Sequence, residues 1–272
     1  MSSYCYSYKL IALFLIFPNL GVAGNLPLFD AHVHYSSDVW NTIPPHDAIS
    51  RLKQNGVQQA IVSSTPAKGA VMLYEANSVF VIPFLRPYRS LEDRRDWYKN
   101  PQILEYVKTN LEKHKFRGLG EFHLFGSQVD TPVMKGILKL ATEKQLVILT
   151  HSNHETIDAL FNAAPSLTII WAHGGFDVDT QVISDKLKRY NKLYIELSFR
   201  EGVMEDRLLS KEWQNLFMVY SSRFLVGTDT YIPQRWLELP EITGQYQTWL
   251  NQLPANVAQA IAYENGINLF RQ

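Results

Sequence analysis

The sequence predicts an α/β fold, a single-domain (β/α)8 TIM barrel, on three observations. Eight short β-like runs alternate with helical stretches along the chain. The runs are continuously apolar instead of alternating, as strands covered on both faces of a parallel sheet must be. No linker rich in Gly, Pro or Ser, no low-complexity tract and no repeat beyond the strand–helix unit divides the chain. Eight such units in about 250 residues is the arithmetic of a barrel. A doubly wound open sheet uses the same units, because periodicity does not report closure.

Each element has its own signal. Strands are read at Leu26 to His34, Gln58 to Ser63, Val79 to Leu85, Phe116 to Glu121, Leu146 to His151, Thr168 to Ala172, Leu193 to Leu197 and Phe224 to Gly227. "AIVSS", "VFVIPFL", "LVILT", "LTIIWA" and "FLVGTD" carry the apolar runs. Helical spacing covers Asp47 to Asn55, Gln102 to Lys115, Pro132 to Lys144, Glu155 to Ala163, Asp179 to Tyr190 and Asp206 to Phe217. Gly56 is a C-terminal stop for the first of these.

Residues 1–23 read as a secretory signal, outside the 24–272 domain. Lys9 supplies the charge, and Leu10 to Phe17 is a run of eight apolar residues, too short to span a bilayer. Pro18 and Asn19 end the run, and Gly21 and Ala23 stand at −3 and −1 of a small-residue cleavage site. The expected destination is the periplasm or the outside, with no stable membrane insertion after cleavage. The single cysteine, Cys5, precedes the apolar run, so the mature chain is expected to have no thiol, disulfide or Cys nucleophile. Charges balance at 26 against 26, and there is no basic stripe, so no nucleic-acid partner is expected. A small-molecule substrate is expected, and a homo-oligomer is left open.

"FDAHVHY", Phe29 to Tyr35, puts Asp30, His32 and His34 at alternate positions, which in a strand project to one side. On the barrel reading, His32 and His34 end strand one, Glu121 ends strand four and His151 ends strand five. His173 follows strand six and Asp229 follows strand eight. All six stand at C-terminal strand ends, the face on which barrel active sites are built. Four imidazoles and two carboxylates suit a borderline cation such as Zn2+, and manganese, iron and cobalt use the same donors. One or two ions are accommodated by this set. Asp30 is read as scaffold more than ligand. Arg86 in "FLRPYR" and Arg200 in "ELSFRE" follow strands three and seven, where either could bind substrate; His123, Ser152, Asn153 and His154 lie near the same mouth. "RSLEDRRDWYKN", Arg89 to Asn100, is read as a solvated loop overhanging it.

The series DAHVHY, GEFH, THSN, AHGG and GTDT resembles the amidohydrolase superfamily, specifically its amidohydrolase-related branch, from about Leu28 to the closing "ENGINLF". The resemblance implies a distorted barrel, with His32, His34, His151 and Asp229 as metal ligands and His173 binding a second metal or acting on substrate. "GLGEFH" is similar to TatD-like nucleases of the superfamily, in which the Glu of this motif bridges two metals, a role that would fall to Glu121. The alternative is that Glu121 holds a ligating histidine from behind.

Together these readings predict an exported metal-dependent hydrolase. An activated water, with Asp229 as general base, would attack a small-molecule ester, lactone, amide or phosphoester. The alternatives are a mononuclear non-oxidative decarboxylase, in which Arg86 or Arg200 clamps a carboxylate, and a non-catalytic metal- or solute-binding barrel.

Overall fold

A computed structural model describes residues 24–271; the expected signal lies outside the described residues. Eight parallel strands form a nearly closed barrel: β1 (Leu28–His34), β2 (Val57–Ser63), β3 (Val81–Leu85), β4 (Gly118–His123), β5 (Val147–His151), β6 (Ile169–Trp171), β7 (Leu193–Glu196) and β10 (Phe224–Leu225). β8 (Met204–Glu205) and β9 (Leu208–Leu209) form a separate antiparallel hairpin. Closure is made across β1 and β10, where the Ala31 N–H donates to Val226 O at 2.9 Å and the Asp229 N–H to His32 O at 2.6 Å.

Helices wrap the strands: α1 (Pro45–Gln54), α2 (Lys68–Ala76), α3 (Pro101–Lys113), α4 (Pro132–Glu143), α5 (His154–Ala163), α6 (Thr180–Arg189) and α7 (Lys211–Val219). Their starts are capped where the sequence offers a polar residue. Asn100, Thr131, Asn153 and Ser210 each accept a backbone N–H from the first turn of the following helix. The helix expected from Asp206 begins only at Lys211. Asp206 and Arg207 adopt positive φ in the turn of the hairpin, and the Ser210 cap sets the helix start after it.

The barrel interior is layered. Phe29, Ala31, Ile61, Ile82, Phe84, Val147, Leu149, Ile170 and Leu225 on the strands, with Ala172 just after β6, form one apolar cluster. α11 (Asn265–Phe270) closes its base, after α8 (Pro233–Leu237), α9 (Leu239–Leu250) and α10 (Ala255–Gln259). There the Phe270 ring stacks on Phe29 at 6.2 Å and meets Phe84 edge-on at 5.9 Å. The opposite end of the same interior is polar, and its side chains make the site.

Strict alternation along β1 would set Phe29 and Ala31 on the opposite face from His32 and His34. Both pairs are buried inside, because the pairing of β1 with β2 shifts register between Asp30 and Val33. A similar irregularity between Leu119 and Phe122 of β4 changes phase just before the polar layer. Asp30 accepts from the Thr228 N–H at 3.0 Å, the Thr228 hydroxyl at 2.7 Å and the His32 N–H at 3.1 Å. It is scaffold joining β1 to the segment after β10, and burial pushes its carboxyl up to about 7.

Candidate metal centre

Six side chains from five strand ends meet at the C-terminal mouth. His32 Nε2 lies 3.1 Å from His34 Nε2, and Asp229 Oδ1 faces the pair at 3.7 and 3.3 Å. Glu121 joins them from β4: its Oε2 lies 3.7 Å from His32 Nε2 and 3.2 Å from His34 Nε2. Its other oxygen, Oε1, lies 3.3 Å from His151 Nδ1, 3.6 Å from His173 Nε2 and 3.8 Å from His123 Nε2. The two oxygens of one carboxylate therefore address two different groups of imidazoles.

The nitrogens facing away from the centre are occupied. His32 Nδ1 is 2.9 Å from Glu196 Oε2, and His173 Nδ1 is 3.0 Å from the Ser198 carbonyl. Both partners are acceptors, so each Nδ1 carries a proton and each Nε2 is the ring atom turned to the centre, where a bound cation would take its lone pair. His34 Nδ1 meets the Ser63 hydroxyl at 2.7 Å. Close approach matters at Gly227: a Cβ there would stand 2.3 Å from Glu196 Oε1 and 2.8 Å from His32 Cβ. Gly120, at φ +128°, is held equally tightly, with Leu149 O 2.0 Å from where its Cβ would be.

Burial and charge oppose each other throughout. Burial would raise the Asp229 carboxyl, but the His32 and His34 imidazoles outweigh it and hold it down at about 2. Glu121 is likewise buried, yet four surrounding histidines hold it well below the usual carboxylate range. His32 is pushed down by burial and, more strongly, up by Asp229 and Glu196. At His123, burial wins and lowers the imidazole to about 4.

Donor chemistry fits a divalent metal. Three sets bring one ligand atom from each residue within 4.8 Å of the others: His32, His34 and Asp229; His32, His173 and Glu196; Glu121, His123 and His151. Asp229 Oδ1 is buried with no hydrogen-bond partner while facing two inward imidazole nitrogens. A buried anionic oxygen left without a hydrogen-bond partner is costly unless a cation completes it. His173 and Asp229 also hold positive φ, +60° and +45°, strain that β-sheet geometry does not require and that aims both side chains into the mouth.

The expected substrate contacts are placed as follows. Arg86 is buried, donating from Nε to Glu121 O at 2.8 Å with Nη2 3.3 Å from Glu121 Oε2. Arg200 donates to Val178 O at 2.5 Å and lies over the Trp213 ring. His123 is half-buried beside Glu121, stacked on His151 at 4.1 Å. Ser152 is buried and accepts the Trp171 indole at its carbonyl, Asn153 caps α5, and His154 pairs with Glu155 at 3.1 Å on the surface. Arg89 to Asn100 contains two short 3-10 turns, pinned by the buried Trp97, whose indole donates to His123 O at 3.0 Å.

Glu196 is the main residue the sequence reading passed over. It sits between His32 Nδ1, the His173 N–H at 3.2 Å and the Ser198 hydroxyl at 2.9 Å, and also accepts the Ser198 N–H. Its signal was present: a carboxylate ending an apolar strand, as Glu121 does. Ser63 gave none, since a serine at a strand end is unremarkable until its partner is known. Replacing Glu196 by Gln is expected to weaken metal binding roughly 10–100-fold, read by competition against a chelator. Unchanged affinity would show that the carboxylate does not orient His32 and His173.

Comparison with known proteins agrees with this geometry. The family model described as amidohydrolase matches residues 98–272. The chain belongs to the amidohydrolase family. It is therefore a metal-dependent hydrolytic enzyme by family, with donors of the kind its superfamily uses for divalent metals. Among solved structures, it is similar to a probable 2-pyrone-4,6-dicarboxylic acid hydrolase from Acinetobacter baumannii with citric acid bound. The identity is 13%, the coverage 91% of this chain and 100% of that one, and the TM-score 0.61. An amidohydrolase from Burkholderia multivorans with bound zinc gives 13% identity, 90% and 99% coverage and a TM-score of 0.59. A TatD family hydrolase from Entamoeba histolytica gives 12%, 92% and 100%, and 0.56. At these identities the likeness is one of fold. No curated protein sequence gives a significant match. Among the described residues, no helix is long and apolar enough to cross a membrane.

Proposed function

We propose that this amidohydrolase hydrolyses a small-molecule ester, lactone, amide or phosphoester, with His32, His34, His151, His173 and Asp229 as the residues that would hold Zn2+ and Glu121 as the carboxylate that would serve both halves of the donor cluster. The observation that carries the proposal is Asp229 Oδ1, buried, without a partner and aimed at the His32 and His34 nitrogens. Such a metal, when bound, polarises a substrate oxygen and lowers the pKa of water.

The chain's own groups supply the rest. Asp229, anionic at neutral pH, takes a proton from the attacking water as the new C–O or P–O bond forms. It then returns that proton to the leaving oxygen or nitrogen as the old bond breaks. His173, fixed at Nδ1 by Ser198, points Nε2 to the same centre and can contact the substrate or a second ion. Arg86 acts through Glu121, holding its Oε2 and backbone carbonyl; His123 and Arg200 flank the substrate's approach.

Arg86 is committed to Glu121, and Arg200 donates from Nη2 to Val178 O with its other nitrogens buried over the Trp213 ring, so neither guanidinium is presented to a substrate carboxylate as a decarboxylase clamp would be. The test is turnover of a zinc-reconstituted protein on an ester, lactone, amide and phosphoester panel in 18O-labelled water. One labelled oxygen per bond cleaved is expected, carried by the acyl or phosphoryl product; carbon dioxide release without label uptake would overturn the reading. Export with cleavage after Ala23 rests on the apolar run 10–17 and the small residues Gly21 and Ala23.

A further inference from the structure

The metal centre is ringed by exposed aromatic side chains. Phe125, Phe176 and Phe199 are 42%, 38% and 41% exposed, and Tyr231 is 48% exposed. They follow β4, β6, β7 and β10 respectively. Among the described residues, those three are the exposed phenylalanines, and each ring meets a histidine of the site. Phe125 lies 5.9 Å from His151, Phe176 4.8 Å from His151 and 4.3 Å from His173, and Phe199 6.0 Å from His173. Tyr231 continues the rim, 6.0 Å from Phe199.

Two of these rings are held there against backbone preference. Phe176 has φ +62° and ψ −91°, and Phe199 has φ +53°. Bulky residues rarely adopt such conformations, and where they do the surrounding structure enforces them for a purpose. The Phe176 N–H is tied to His173 O at 2.8 Å, and the Arg235 guanidinium lies 4.1 Å from the Phe199 ring centroid. Both rings are thus held in place by groups that border the metal centre.

Cations around the same mouth are engaged elsewhere. Arg86 is bound to Glu121, and Arg235 to Thr228 O at 2.6 Å with Glu238 3.6 Å away. Arg200 gives only Nη2 to Val178 O; its Nε and Nη1 are buried without a partner, over the Trp213 ring, and its charge is offset by Asp177, Asp179 and Glu201. On the His123 side, a cavity of about 680 Å3 contains Arg94 and Arg95, but Glu92 and Asp96 line it too. The rim therefore offers aromatic faces without a surplus of positive charge.

We infer that the substrate carries an uncharged apolar ring next to its scissile bond, seated among Phe125, Phe176, Phe199 and Tyr231. The inference rests on the hydrolase reading and names its substrate class: aryl or arylalkyl esters, lactones or amides, as opposed to polycarboxylates. Burying a ring against this rim removes apolar surface from water and adds ring–ring contact.

Binding tests this without requiring turnover. The probes are acetohydroxamate, phenylacetohydroxamate and its 3,5-dicarboxyphenyl analogue, which share one metal-binding head and are titrated calorimetrically into the zinc-loaded protein. Phenylacetohydroxamate is expected to bind roughly tenfold or more tightly than acetohydroxamate, with the dicarboxylate weaker than the plain phenyl probe. In Phe176→Ala/Phe199→Ala, and in the milder Phe176→Leu/Phe199→Leu, the phenyl-to-methyl ratio should fall towards one. Because the ratio is taken within each protein, a general loss of metal does not imitate this result. Equal binding of the phenyl and methyl probes, or tightest binding of the dicarboxylate, overturns the inference and leaves the metal-centre reading standing. Failure of all three to bind removes the metal-centre reading and this inference with it.

Discussion

Asp229→Asn is expected to lower turnover by roughly 10²–10⁴ while leaving the barrel folded. The side chain is held anionic, at about 2, because the His32 and His34 imidazoles outweigh its burial. An amide keeps the shape and an oxygen but cannot accept and return a proton. The backbone contribution survives the change, since the Asp229 N–H bond to His32 O and the positive φ belong to the main chain. Turnover measured at saturating metal, beside thermal melting of both proteins, separates chemistry from folding. Wild-type rates in Asp229→Asn would remove the residue from the proton path.

Glu121→Ala is expected to reduce bound metal from two ions per chain to one, with turnover falling alongside. One oxygen faces His32 and His34 while the other faces His151, His173 and His123, so the carboxylate spans both halves of the centre. Deletion also strips the buried Arg86 guanidinium of its anionic partner, which costs about 3 kcal/mol of stability. Glu121→Gln keeps an acceptor for Arg86 and is the control: it should bind one ion with a smaller loss of stability. Two ions retained in Glu121→Gln and Glu121→Ala would contradict the bridging role and leave Glu121 as an orienting group for the histidines.

The architecture was legible because parallel strands leave long apolar runs, and every one of the eight was recovered within a few residues. Their C-terminal ends then located His32, His34, Glu121, His151, His173 and Asp229 with no knowledge of contacts. What the sequence did not disclose depends on geometry finer than periodicity. Asp30 shares the spacing of His32 and His34, yet a register shift in β1 turns it to Thr228. Arg86 reads as a substrate-binding guanidinium after a strand, and only the fold reveals Glu121 within reach. The hairpin before α7 arises from positive-φ residues that are not glycines, so Asp206 and Arg207 gave no turn signal. The aromatic rim was equally hidden, since Phe125, Phe176, Phe199 and Tyr231 come from four separate loops.

The most direct measurement is the metal content of the purified chain after zinc reconstitution and removal of free ion, by elemental analysis. Two equivalents per chain are expected, from the nitrogens and carboxylate oxygens gathered around Glu121 and Asp229. A chain that retains no divalent metal would contradict the account at its centre.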